Sequence, residues 1–69
     1  MGEEINKEKL AHLFEHWIEH NESHSKSFND WAAKIKDAGF EETAEKILEA
    51  ARKMDECTEY LQKAKQDVE

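Results

Sequence analysis

Four histidines follow one another at intervals of four residues in the first half of this 69-residue chain: His12, His16, His20 and His24. Residues four apart are neighbours on one side of an α-helix, so each successive pair could chelate a metal ion if the segment is helical. Imidazole nitrogen is a good ligand for Zn²⁺, Ni²⁺, Co²⁺ and Cu²⁺. The spacing predicts a histidine ladder that binds a divalent transition metal, with His16, His20 and His24 as the leading ligands.

A second group of polar residues completes the predicted metal site. If the chain folds back on itself at Gly39, facing residues have numbers that sum to about 79, which brings His24 towards Cys57. Cys57 is therefore predicted as a further metal ligand, and His12 as an outer one. The predicted supporting polar layer contains Asn21, Asp55, Thr58 and Glu59.

The same residues also have structural interpretations, which the sequence leaves open. Burying Asn21 or His24 in an apolar helix interface without a partner costs about 1–3 kcal/mol. A hydrogen-bonded polar layer at that place would fix the register of the helices and their oligomeric state. His12 and His16 equally fit a solvated helix surface, and Cys57 fits an inert position on a helix flank.

The pattern of apolar residues indicates two long helices. In the first, alternating steps of four and three residues define a predicted seam of Leu10, Phe14, Trp17, Asn21, His24, Phe28, Trp31 and Ile35. This pattern predicts a helix over about 6–38, with Asn6 as N-cap and an irregular start at residues 1–5. A break within residues 21–27, where Asn and Ser are frequent, is the alternative and would give three helices.

A turn and a second helix follow. Gly39 suits the left-handed conformation just past a helix end, and Phe40 is expected to fold back onto the last turn. A second helix is predicted over about 41–67, with its seam at Phe40, Ala44, Ile47, Ala51, Met54, Thr58, Leu61, Lys65 and Val68. The predicted fold is all-α: one domain, residues 1–69, forming a long antiparallel helical hairpin.

The small size of the chain predicts self-association. A core of this size rarely stabilises a fold by more than a few kcal/mol, and a single cysteine excludes an internal disulfide. The aromatic surface is too large for one helix–helix interface, since it includes Phe14, Trp17, Phe28 and Trp31. We expect a homodimer in which two hairpins form a four-helix bundle. One cysteine and no signal peptide favour the cytoplasm.

The charge of the chain excludes two classes of partner. The net charge is −7, and neither a basic stripe nor a long apolar run is present. Nucleic acid and anionic membrane surfaces would be repelled, whereas cations would be attracted. The remaining partners are a metal ion, a second copy and another protein.

The segment HWIEHNESH, followed by WAAKIKDAGFEETAEKILEAA, resembles a family of short, uncharacterised helical-hairpin proteins of anaerobic archaea and bacteria. The resemblance covers roughly residues 10–64 and centres on an HWxxHNxxH pattern. It implies a two-helix module that stands alone or is appended to proteins that handle metals, with no established activity. It favours His20, Asn21 and His24 over His12 as the functional set.

Two functions agree with these observations. The first is a small cytosolic protein that binds a divalent transition metal as a chaperone, buffer or sensor, more tightly above pH of about 6.5 because imidazole must lose its proton to coordinate. The second is a structural or adaptor module in which the histidines set the register or a pH response. The sequence lacks patterns for nucleophilic or nucleotide chemistry, so no enzyme activity is expected.

Overall fold

The computed structural model describes residues 4–69 as two α-helices joined by a tight turn. Helix α1 spans Lys7–Asp37 and helix α2 spans Glu41–Val68. The helices pack against each other as an antiparallel hairpin, as the sequence predicted. Their ends differ from the predicted ends by one residue at most. The expected irregular start falls partly on residues 1–3, which lie outside the described residues.

Helix α1 begins at a side-chain cap and continues without a break. The Asn6 carboxamide oxygen accepts a hydrogen bond from the Lys9 backbone N–H at 2.9 Å, which satisfies one of the free donors of the first turn. The helix is unbroken through residues 21–27, so the three-helix alternative is wrong. The polar side chains of Asn21 and Ser25 bond to α2 and therefore do not compete for the backbone of α1.

The turn between the helices is a Schellman motif. Gly39 has a φ of 98°. Its N–H donates to the Lys36 carbonyl at 2.9 Å, and the Phe40 N–H donates to the Ile35 carbonyl at 3.1 Å. The backbone of Phe40 thus folds back as predicted, but its ring remains 63% exposed. The motif reverses the chain direction within three residues.

Small side chains line the interface between α1 and α2. Its buried residues are Ser25, Ala32, Ala44, Ala51 and Thr58. Larger apolar residues, among them Phe28 and Met54, are only partly buried beside them. No large side chain in the described residues is completely buried. Small residues let the two backbones approach closely, but they leave the hairpin with a thin core.

The side of α1 that faces α2 differs from the predicted one at three positions. The line Phe14, Asn21, Phe28 and Ile35 faces α2 as predicted. Trp17, His24 and Trp31 do not: the partly buried or buried residues beside that line are Ile18, Ser25 and Ala32. The prediction of a core position for His24 is therefore wrong, because this side chain lies on the exposed flank of α1.

The line of Phe14, Asn21, Phe28 and Ile35 is consequently flanked by two stripes of residues along α1, one on each side. The inner stripe packs on α2 and consists of Ala11, Ile18, Ser25 and Ala32. The outer stripe consists of Leu10, Trp17, His24 and Trp31, and all of these except Leu10 are exposed. The seam predicted for α2 is confirmed from Ala44 to Val68, all of whose members are buried or partly buried.

Candidate functional site

His20 and His24 form a close pair of imidazoles on the exposed flank of α1. Their ring centroids are 4.4 Å apart with an edge-to-face geometry. Their Nε2 atoms are separated by 3.3 Å. The pair is placed by one turn of regular helix and lies around residue 22, the midpoint of the 31-residue helix. Because the backbone beneath it is regular helix, the pair is held on a rigid element.

The Nε2–Nε2 distance matches the separation of two ligands on one metal ion. Two nitrogens bound at about 2.0–2.1 Å to a tetrahedral zinc ion lie roughly 3.3–3.4 Å from each other. The same distance is long for a hydrogen bond, for which N–H donors prefer about 2.9–3.0 Å. The pair therefore has the nitrogen–nitrogen spacing that two ligands of one metal ion require.

The other two rungs of the ladder are less closely engaged. His16 stacks on His20 with ring centroids 6.5 Å apart. His12 is exposed and lines a shallow apolar groove together with Ile5 and Leu13. The four histidines wind around α1, so that His12 and His16 point away from the flank that carries His24. The structure thus brings together His20 and His24 most closely, with His16 as the nearest neighbour.

The polar layer between the helices forms in the predicted register but with a different partner for each residue. The Asn21 amide donates to the Cys57 sulfur at 3.5 Å, and the Ser25 hydroxyl donates to the Asp55 carboxylate at 2.6 Å. Both pairs lie within one residue of the predicted facing sum of about 79. Asp55 therefore meets Ser25, and Cys57 meets Asn21, where the prediction placed His24 opposite Cys57.

The remaining predicted members of this layer serve other roles. Thr58 is buried, and its hydroxyl donates to the Met54 carbonyl one turn earlier in α2 at 3.0 Å. Glu59 is exposed. Within residues 4–69, no three or more His, Cys, Asp or Glu side chains gather into a group that could hold a metal ion. In the described residues, the close pair of His20 and His24 is therefore not joined by a third side chain of this kind.

Exposed aromatic side chains flank the histidine pair, a feature that the sequence pattern assigned to the core. Trp17 is 42% exposed and Trp31 is 57% exposed, on either side of His24 along the outer stripe. The Lys34 ammonium group lies 4.7 Å from the Trp31 ring centroid. The signal that could have revealed this arrangement is the match of small residues, such as Ala32 and Ala44, on the two facing helices.

The Asn21–Cys57 contact shows which side of α2 adjoins the outer stripe. Ala50 and Ala64 lie seven residues on either side of Cys57 and are partly buried on the same side of α2. Asp55 and Leu48 lie on the opposite side, where Ser25 is bonded. The hairpin therefore has one side with aromatic residues, histidines and small apolar residues, and another with polar residues.

These features define a class of protein: a two-helix hairpin with a histidine pair at the centre of an exposed aromatic stripe. Residues 10–68 match the family described as Domain of unknown function (DUF8180), which spans both helices. The chain belongs to this family.

A relative from Archaeoglobus fulgidus, described as an uncharacterized protein, is 46% identical over 57 residues. That match covers 83% of this chain and 90% of the relative. No solved structure matches the chain. In the described part of the chain, neither helix is long and apolar enough to cross a membrane.

Proposed function

We propose that this protein is a small cytoplasmic binding protein, not an enzyme, for a divalent transition metal such as Zn²⁺, Ni²⁺, Co²⁺ or Cu²⁺. The observation that carries the proposal is the 3.3 Å separation of the His20 and His24 Nε2 atoms. Imidazole nitrogens at this distance can bind one ion without any movement of the helix. The roles open to such a protein are metal chaperone, buffer and sensor.

Two further observations support metal binding. The net charge of −7 favours cations over anions at the surface. The HWxxHNxxH centre, proposed as the mark of the family, contains both imidazoles together with Asn21. The ring of His16 lies further away, with its centroid 6.5 Å from that of His20, so His16 is not assigned as a ligand of this pair. The bond between Asn21 and the Cys57 sulfur keeps that thiol on the flank of the same side, where it is a weaker candidate.

The test compares two double variants by calorimetric titration of the chelator-treated, untagged protein with Zn²⁺. In His20→Ala/His24→Ala, affinity should fall by more than about 100-fold, because both ligands are lost. The matched control is His12→Ala/His16→Ala, which removes two histidines of the same helix and should change affinity by less than about threefold. All four side chains are exposed, so circular dichroism should show an intact hairpin in both. Equal losses in the two variants, or a wild-type protein that binds no Zn²⁺ at micromolar concentrations, would refute the proposal.

A second candidate function is a structural or adaptor module, and the exposed Trp17 and Trp31 favour it. In this function two hairpins pair into a four-helix bundle, or one hairpin binds a protein partner, independently of metal. Chelator treatment separates the two functions. An adaptor keeps its association constant after chelator treatment. A metal-binding protein loses the metal ion and the stability that the bound ion contributes.

A further inference from the structure

The tryptophans of the outer stripe of α1 are spaced symmetrically about His24. Trp17 and Trp31 each lie seven residues from His24, which places them on one line of the helix, about 10 Å on either side of it. If a second copy of α1 packs antiparallel against this stripe, Trp17 of each copy faces Trp31 of the other. His24 then faces its own counterpart. Such self-complementarity is what a twofold-symmetric interface requires.

The exposed area of the hairpin also calls for a partner. The chain, of 8.1 kDa, exposes 5700 Å², whereas a compact monomer of that mass exposes about 4500 Å². The excess of roughly 1200 Å² is sufficient for a standard interface, which buries about 800 Å² on each partner. No large side chain of the described residues is completely buried within the hairpin itself.

The distribution of charge makes a second copy a suitable occupant. On α1, neither the outer stripe nor the adjoining line, Leu13, His20, Ser27 and Lys34, contains an acidic residue. On α2, the line that contains Cys57 holds no acidic residue. Acidic residues begin at the next line, which contains Asp67, and at its edge, where Glu42 points in the same direction as Tyr60 five turns later. Two chains of net charge −7 can therefore meet on this side without opposing their carboxylates.

We propose that two hairpins associate through their outer stripes and share one metal ion, held by His20 and His24 of both copies. This inference rests on the proposed function and names the partner that completes the site. One hairpin provides two imidazoles, and a tetrahedral site needs four ligands. A twofold axis at His24 places the midpoints of the two pairs about 6 Å apart along the helices, a separation that imidazoles leaning towards the axis from both sides can close. Metal binding and dimerisation are consequently linked, so each strengthens the other.

The first experiment measures Zn²⁺ stoichiometry by calorimetry and mass in solution by sedimentation, on the untagged full chain. The expected ratio is one Zn²⁺ per two chains, and chelator should weaken dimerisation at least about tenfold. The apparent Zn²⁺ affinity should also rise with protein concentration, because a shared site forms only in the dimer. A site within one chain would show no such dependence.

Two matched variants test the surface itself. Trp31→Gln should weaken dimerisation and, at low protein concentration, the apparent Zn²⁺ affinity, each by about tenfold or more. Leu48→Gln introduces the same residue at an exposed apolar position on the opposite side of the hairpin and should change neither. Circular dichroism of both variants verifies that the helices are retained.

The outcomes distinguish the shared site from the proposed function. One Zn²⁺ per monomer, with an affinity that is unchanged in Trp31→Gln, would overturn the shared site and leave metal binding intact. A dimer that binds no Zn²⁺ would overturn both and leave the adaptor function. Equal effects of Trp31→Gln and Leu48→Gln would remove the outer stripe as the interface.

Discussion

At the scale of single residues, Ser25 connects the polar middle part of α1 to α2. This serine is buried, and its hydroxyl donates a short hydrogen bond of 2.6 Å to the Asp55 carboxylate. A hydrogen bond to a charged acceptor is stronger than one between neutral groups. The hydroxyl thereby stabilises the packing of α1 on α2 at the level of the histidine pair.

Ser25→Ala should lower the free energy of unfolding by about 1–2 kcal/mol, because it removes this bond and leaves Asp55 without its serine donor. Ser23→Ala is the control: it makes the same change at an exposed position of the same helix and should stabilise slightly through the higher helix propensity of alanine. Urea denaturation followed by circular dichroism measures both. If the two variants are equally stable, the Ser25–Asp55 bond makes no net contribution.

Substitution of Cys57 tests whether its thiolate belongs to the proposed metal site. The Cys57 sulfur accepts a hydrogen bond from the Asn21 amide. Within residues 4–69, Cys57 does not lie together with two other His, Cys, Asp or Glu side chains that could hold a metal ion. Cys57→Ser should therefore leave the Zn²⁺ affinity within about twofold of wild type, since a thiolate ligand would contribute far more. A loss of tenfold or more in the same titration would place the thiolate in the coordination sphere and restore the ligand set predicted from the sequence.

At the scale of the helices, Gly39 is needed for the reversal of the chain. Its φ of 98° lies in the left-handed region, where a side chain is strained even though a Cβ atom would meet no neighbour within 4 Å. Gly39→Ala should lower the free energy of unfolding by about 1–2 kcal/mol. Gly39→Asn should lose less, because asparagine tolerates this conformation better. Similar losses in both, measured by urea denaturation, would show that side-chain bulk and not φ is limiting.

Helix α2 carries an exposed ion pair whose pH dependence can be stated with its sign. A hydrogen bond from Arg52, together with its charge, holds the pKa of Glu49 below its ordinary value of 4.5. The contribution of the pair to stability is therefore present above pH 4.5 and is lost as pH falls through the lowered pKa. Both groups are solvent-exposed, so the contribution is small.

Glu49→Gln should accordingly lower the melting temperature slightly at pH 7 and have a diminishing effect towards pH 2, because the wild-type carboxylate takes up a proton as pH falls. Glu56→Gln is the control, because its carboxylate lies 3.8 Å from Lys53, beyond the 2.8 Å contact of the Glu49 pair. Thermal melts at both pH values measure the difference. A Glu49→Gln effect that is as large at pH 2 as at pH 7 would mean that the ion pair is not its cause.

The helices and their register could be predicted from the sequence, but the side of α1 that faces α2 could not. Alternating steps of three and four residues, the cap at Asn6 and the glycine at 39 determine where the helices lie. Phe14 and Phe28 lie on the line between the inner and the outer stripe. Periodicity alone therefore allows either stripe to pack against α2 together with this line. Large apolar residues favoured the stripe with Trp17 and Trp31. Close packing of small residues selects the other, because it lets the backbones approach.

The histidine pair was predictable from its spacing, whereas its surroundings depended on that choice of side. His20 and His24 are neighbours on any regular helix, so their proximity follows from a spacing of four. The rotation of α1 about its own axis determines which of its sides faces α2. It therefore decides whether the two histidines contact Cys57 and Asp55 or project away from α2. The structure turns them outwards, which separates them from α2 and exposes them to a second molecule.

At the scale of the whole molecule, the hairpin is long and thin, with extents of 52 × 23 × 15 Å. Its internal interface buries mainly alanine, serine and threonine, and both tryptophans lie outside that interface. A second hairpin packed on the outer stripes would cover Trp17 and Trp31 and surround the histidine pairs. The proposed metal-linked dimer would therefore both cover these tryptophans and complete the proposed metal site.

Native mass spectrometry of the untagged chain, supplied with half a molar equivalent of Zn²⁺, tests this account most directly, because a single mass reports both the number of chains and the number of metal ions. We expect a species of two chains and one zinc ion, which His20→Ala/His24→Ala should abolish. A predominant species of one chain and one zinc ion, or a dimer that remains free of zinc under the same conditions, would contradict it.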